Sequence, residues 1–90
     1  MAIGEMVLPV IHRNGTAATT LIDDRSDCLD AFRELAHHLN RIAPNGRDYY
    51  PAPGRMELAT AQHIRRVDTL DKLMREIQDE RNAICNLANL

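Results

Sequence analysis

Two stretches of the chain carry apolar residues at spacings that alternate between four and three, and this pattern restricts the fold more than any other feature. Such spacing is typical of helices that each bury one face against a partner helix. It predicts one helix over residues 20–42 and a second over residues 55–88. The first stripe is formed by Leu21, Cys28, Phe32, Leu35, Leu39 and Ile42, with Arg25 in the one polar slot. The second is formed by His63, Val67, Leu70, Met74, Ile77, Arg81, Ile84 and Ala88, and is widened by Ile64, Leu73 and Leu87.

Local signals support both helices. Thr19 or Thr20 is expected to cap the first helix, because a hydroxyl oxygen can accept a hydrogen bond from the first free backbone N–H groups. The second helix contains acid–base pairs four residues apart with the acid on the N-terminal side, an arrangement that stabilises helices. These pairs are Asp68–Lys72 and Asp71–Arg75.

The remaining segments are an N-terminal arm over residues 1–19 and a loop over residues 43–54. In the arm, Pro9 makes a central strand unfavourable and Asn14-Gly15 is a turn signal, so we expect an extended arm or short strand. The arm should lie on the helices or on a neighbouring copy. The predicted fold is therefore a single all-α domain, an antiparallel two-helix hairpin with a short extended N-terminal arm.

The composition leaves little material for a core. The chain has 90 residues, no Trp and only one Phe, so a lone domain would be marginally stable. The second predicted helix exceeds the first by about 15 Å, which should leave Ile84, Leu87 and Leu90 beyond the end of the hairpin. We therefore predict a homo-oligomer formed through helical faces.

Charge and hydropathy exclude some partners. The net charge of −2, with 11 basic and 13 acidic residues interspersed, argues against a protein that binds duplex nucleic acid. No apolar run approaches the roughly 20 residues of a membrane span, and Glu5 and Pro9 interrupt any signal peptide, so we expect a cytoplasmic protein. Cys28 and Cys85 are far apart and are interpreted as small buried hydrophobic residues, in preference to a disulfide or a metal site.

The loop between the helices contains "PNGRDYYPAPG", residues 44–54, and is longer than the roughly 2–8 residues usual between bundle helices. Arg47 could hold a phosphate with two hydrogen bonds, and Tyr49 or Tyr50 could stack on a base. Asp48 and Asn45 could supply polar contacts. These residues suggest a nucleotide site. Alternatively, the tyrosines cap the end of the bundle, and Arg47 and Asp48 pair with helix termini.

Two further polar clusters are candidates for the same ligand. His12 and Asn14 in "IHRNGT" could add hydrogen-bond donors, unless this segment is only a turn before the helix. His63, with Arg66 one turn later, could line a pocket, unless it is a buried histidine with satisfied hydrogen bonds. No histidine pair has the spacing of a zinc-binding helix, and no nucleophile motif occurs. We expect no metal, no cofactor and no enzymatic activity.

Three motifs carry a resemblance: "IHRNGT" at 11–16, "PNGRDYYP" at 44–51 and "QHIRRVDTL" at 62–70. Between residue 8 and about residue 80, the chain resembles a group of small helical proteins of tailed bacteriophages and prophages. Small phage proteins of this kind include anti-defence sponges, oligomers that sequester nucleotide signals of bacterial immunity. The resemblance implies a sponge in the bacterial host cytoplasm, with a cyclic oligonucleotide or an ADP-ribose derivative as its ligand.

Two other functions fit the same sequence. One is a protein–protein interaction module that inhibits or scaffolds a host or virion protein through its helical face. The other is a nucleic-acid accessory protein.

Overall fold

A computed structural model describes residues 6–90 and contains three helices. These are α1 (Ala18–Arg41), the single-turn α2 (Gly46–Tyr49) and α3 (Arg55–Ala88). No strand occurs in the described range, which confirms the predicted all-α class there. Residues 6–17 form the described part of the arm, with a turn closed by a 3.1 Å hydrogen bond from the Gly15 N–H to the His12 carbonyl. The first five residues of the predicted arm lie outside the described residues.

The start of α1 differs from the prediction. The helix begins at Ala18 and has no side-chain cap, so Thr19 and Thr20 already lie in its first turn. The predicted threonine cap is therefore wrong. Ala18 accounts for the difference, because alanine has the highest helix propensity and lets the helix begin before the threonines.

The interior of α3 contains the ion pairs that the sequence predicts. The predicted pairs Asp68–Lys72 and Asp71–Arg75 are confirmed as ion pairs, each with a 2.9 Å separation between nitrogen and oxygen. Asp68 also raises the pKa of the Lys72 amine by accepting its hydrogen bond. Left-handed backbone bounds the helix at both ends, at Gly54 with φ 88° and at Asn89 with φ 57°.

A polar contact and an apolar contact hold α1 against α3. Arg25 donates from Nη2 to Glu80 Oε1 at 2.9 Å and from Nη1 to the Leu21 carbonyl at 3.0 Å. Further along α1, Phe32, Leu35 and Leu39 line one groove together with Leu70 and Leu73 of α3. Residues early in α1 therefore face residues late in α3.

The register between the helices corrects the predicted overhang. With Arg25 beside Glu80, equal rise along both helices places Ala18 level with Leu87 and Arg41 level with Ile64. The extra length of α3 therefore lies at its N-terminal end. Ile84 is fully buried, contrary to the prediction that it extends past the hairpin. The arm lies beside this end, since Pro9, Val10 and Ile11 line a pocket with Leu87.

The buried core is small. Among residues 6–90, the only buried hydrophobic residues are Leu29 of α1 and Ile84 of α3. Cys28 is exposed and Cys85 is half-buried, and both are free thiols. The predicted burial of Cys28 is wrong, because the phase of α1 turns its neighbour Leu29 inward. A shift of one residue rotates a side chain by about 100° around the helix.

The molecule is elongated, with extents of 63 × 24 × 18 Å. Its radius of gyration is 18.5 Å, whereas a compact chain of this length would have one of about 12 Å. The exposed area of 6975 Å² exceeds the roughly 5,300 Å² expected for a compact monomer of 10.2 kDa. No helix within residues 6–90 has both the length and the apolar character needed to cross a bilayer.

Candidate functional site

The central part of the loop is a helical turn followed by further turns. Asn45 caps α2, accepting a 2.9 Å hydrogen bond on Oδ1 from the Arg47 N–H. The Tyr50 N–H donates to the Gly46 carbonyl at 3.0 Å, and the Ala52 N–H donates to the Tyr49 carbonyl at 3.0 Å. Backbone hydrogen bonds therefore order the segment that carries the candidate ligand contacts.

The candidate side chains of this loop differ in exposure. Tyr50 is 81% exposed, while Tyr49 is half-buried. Arg47 and Asp48 are exposed, and within the described part of the chain neither forms an ion pair. An exposed ring beside an unpaired guanidinium and carboxylate can accept a planar, charged ligand without first breaking existing contacts.

The length of the loop has a structural cause as well. Because α1 ends level with Ile64, the chain must cover about 14 Å along α3 before that helix begins at Arg55. A loop that covers this distance and also reverses the chain direction needs more residues than a tight turn does. Part of the loop length therefore has a structural cause, and the exposed side chains are the better indication of a site.

The arm residues lie at the other end of the molecule. His12 and Asn14 are exposed, and the neighbouring Ile11 shares a pocket with Leu87 near the end of α3. The 24 residues of α1 span about 36 Å between the arm and the loop. Within one chain, the structure does not bring His12 and Asn14 to Arg47.

His63 and Arg66 line different pockets. His63 is half-buried, and its Nδ1 atom is buried without a hydrogen-bond partner in the described residues. Among the described residues, this atom lacks the partner that a histidine with satisfied hydrogen bonds would have. Its pocket is completed by other residues of α3, namely Ile64, Val67, Asp68 and Asp71. Arg66 instead lines the groove between α1 and α3.

That groove is the surface that sequence reasoning missed. We call it the apolar groove: an open groove of about 350 Å³ lined by Phe32, Leu35, Leu39, Leu70 and Leu73, together with Arg65, Arg66 and Thr69. The heptad pattern assigned most of its apolar residues to the contact between the two helices. The available signal was Leu73, which widened the stripe of the second helix beyond a simple seam.

The described residues hold no group of three or more His, Cys, Asp or Glu side chains placed to bind a metal ion. Comparisons of the chain with protein families, with curated proteins and with solved structures found no match. Function is therefore inferred from the side chains of the loop, the arm and the helical faces.

Proposed function

We propose that the protein is a non-enzymatic, homo-oligomeric phage protein that binds and sequesters a small nucleotide signal of bacterial immunity in the host cytoplasm. The ligand would be a cyclic oligonucleotide or an ADP-ribose derivative. Arg47 would hold a phosphate, the Tyr50 or Tyr49 ring would stack on the base, and Asn45 and Asp48 would supply polar contacts. No part of this role requires a cofactor or a metal.

One observation carries this proposal: Arg47, Asp48 and Tyr50 are exposed together on an ordered helical turn, and neither charged group has an ion-pair partner among residues 6–90. Charge-assisted hydrogen bonds and base stacking each contribute about 1–3 kcal/mol to nucleotide binding. An ordered turn also loses less conformational entropy on binding than a flexible loop does. The motif resemblance to small phage proteins supports the same class.

The proposal includes an antiparallel hairpin of α1 and α3 that associates with further copies through helical faces. The Arg25–Glu80 contact and the shared lining of the apolar groove support the hairpin. The small core supports association, because residues 6–90 bury only two hydrophobic side chains and gain little stability from their own packing.

A ligand panel tests the function. Cyclic dinucleotides, cyclic trinucleotides and ADP-ribose isomers should be added to the purified full chain and the unfolding midpoint measured. A bound ligand at 100 times its Kd adds about 2.7 kcal/mol, which raises the midpoint by about 10 °C or more. Arg47→Ala should weaken binding by about 10- to 100-fold, through the loss of charge-assisted hydrogen bonds.

Arg33→Ala provides the matched control for this test. Arg33 is also an exposed arginine, lies on α1 in an ion pair with Asp30, and its removal should leave ligand affinity unchanged. If no compound of the panel shifts the midpoint, the nucleotide function is wrong. If the wild type binds a compound and both variants lose affinity equally, the assignment of the site to the loop is wrong.

The apolar groove favours a second candidate function, a protein–protein interaction module that inhibits or scaffolds a host or virion protein. Its open surface with partly exposed Leu35 and Leu73 is typical of a helix-binding groove. Such a module should capture one host or virion protein from infected cells and retain it after Arg47→Ala. It should lose that protein after Leu35→Glu, in a variant that circular dichroism shows to be helical.

A further inference from the structure

Three exposed leucines follow one side of α3. Leu58 is 73% exposed, Leu73 is 47% exposed and Leu87 is 57% exposed. Leu58 precedes Leu73 by 15 residues and Leu87 follows it by 14, so at about 100° per residue all three point within about 60° of the same direction. We call these three residues the leucine row. Leu73 also lines the apolar groove, and Leu87 lies beside the arm.

The leucine row is self-complementary. Its two outer members lie about 22 Å on either side of Leu73 along the helix axis. A two-fold axis near Leu73 would therefore place Leu58 of each copy against Leu87 of the other, which is the condition for an isologous interface. A copy translated along the axis would leave at least one end of the row uncovered. A parallel copy in register would pair each leucine with its counterpart, but it would bring arm against arm and loop against loop.

The large exposed area of the chain favours a second copy of the chain as the partner that covers this face. Its exposed area exceeds that of a compact monomer by about 1,700 Å². A standard protein interface buries about 800 Å² on each partner, so a contact of this size would still leave surface for other neighbours. A partner along the leucine row would also cover the apolar groove beside Leu73.

An antiparallel dimer would bring together the arm and the loop, the two polar segments that lie far apart in a single chain. The arm of one copy, beside its Leu87, lies about 22 Å from the two-fold axis. In the other copy, the loop runs between the levels of Ile64 and Arg55. Because the copies are antiparallel, these levels lie about 13 to 26 Å from the two-fold axis, measured along α3 toward the same end of the dimer. The two segments would therefore lie at the same height along such a dimer.

We propose that the nucleotide site is composite and occurs twice in an antiparallel dimer. This inference rests on the proposed function for its ligand. One copy contributes Arg47 for a phosphate and Tyr50 for a base, and the other contributes His12 and Asn14 as donors to the remaining polar edge of the ligand. Each site is incomplete in a single chain, so binding requires the dimer.

Site-specific cross-linking tests this geometry without any ligand. Asn14 and Asp48 are both exposed and are each replaced by Cys, singly, in a full-length background carrying Cys28→Ser and Cys85→Ala. The two single-cysteine chains are co-expressed, or expressed separately, and treated with a long-arm bis-maleimide. The co-expressed pair should give a covalent dimer on a denaturing gel at several times the yield of either chain alone.

Two results would overturn the composite site: equal cross-linking of N14C or D48C alone, or no covalent dimer from the co-expressed pair. Circular dichroism verifies that each variant remains helical. If the background variants fail to fold, isotope-filtered NMR on a mixture of labelled and unlabelled wild-type protein replaces them. It should detect intermolecular contacts between the His12 ring and the 45–50 loop, and the absence of such contacts also overturns the inference.

The outcomes separate the composite site from the nucleotide function. An antiparallel cross-link together with no response to the ligand panel would retain the dimer and reject the function. A ligand response that depends on Arg47, without the arm-to-loop cross-link, would retain the function and reject the composite site. Sites shared between copies are supported if the ligand response is lost in Arg47→Ala and in His12→Ala, and is restored when these two variants are mixed.

Discussion

At the residue scale, Gly54 illustrates how one position decides the path of the chain. Its φ of 88° lies in the left-handed region, where a side chain would strain the backbone, and it stands immediately before α3. Gly15 has a different role, because a Cβ atom there would lie 2.6 Å from the Nε2 atom of His12. The glycine at 15 therefore lets the imidazole fold back over the turn of the arm.

We expect Gly54→Ala to lower the free energy of unfolding by about 1–2 kcal/mol, the cost of left-handed backbone in a residue with a side chain. Gly46→Ala is the matched control, because Gly46 lacks a positive φ and a Cβ atom there would meet nothing within 4 Å. Alanine in the helical turn should be neutral or slightly stabilising. Urea denaturation followed by circular dichroism measures both variants, and equal destabilisation would contradict the argument.

At the scale of the elements, the register between α1 and α3 depends on Arg25 and Glu80. Their side chains are only 24% and 20% exposed, and two guanidinium nitrogens of Arg25 donate to the same carboxylate oxygen. The other ion pairs of the described chain join residues within one helix. Arg25, which occupies the polar slot in an otherwise apolar stripe, therefore specifies how far α1 slides along α3.

A double-mutant cycle with Arg25→Ala and Glu80→Ala should give a coupling energy of about 1 kcal/mol, because the pair is partly shielded from water. The same cycle on the exposed pair Arg33 and Asp30 should give about 0.3 kcal/mol. Both are measured by chemical denaturation at low and at high salt. A coupling for Arg25 and Glu80 no larger than that of the exposed pair would show that the contact does not set the register.

At the scale of the whole molecule, the chain has an extended shape and little buried apolar surface. Most apolar side chains of the helices remain partly exposed, with only Leu29 and Ile84 buried in the described residues. Folding free energy from apolar burial scales with the area removed from water, so copies that cover each other add stability that one chain lacks. Association and folding should therefore be linked.

The midpoint of thermal unfolding should rise with protein concentration, because association stabilises the folded state by mass action. Leu73→Glu should produce a monomer or an unfolded chain and remove this dependence. Ile64→Glu is the control, since Ile64 is 62% exposed and lies on the other side of α3. Circular dichroism and light scattering over a 100-fold concentration range measure the effect. A wild-type monomer whose midpoint is independent of concentration would refute the association.

The sequence by itself determined the helical class and the two long helical segments, because periodicity, helix propensity and pairs four residues apart act locally. It also pointed to Arg47, Asp48 and the two tyrosines of the loop, but it could not determine that Tyr50 is exposed while Tyr49 is half-buried. It could not determine the phase that buries Leu29 in place of Cys28, nor the register that buries Ile84. Both depend on contacts between residues more than 50 positions apart, as in the pairing of Arg25 with Glu80. Only the tertiary structure decided that the extra length of α3 lies at the loop and that His12 stands far from Arg47, because the same local pattern allows several offsets between two helices.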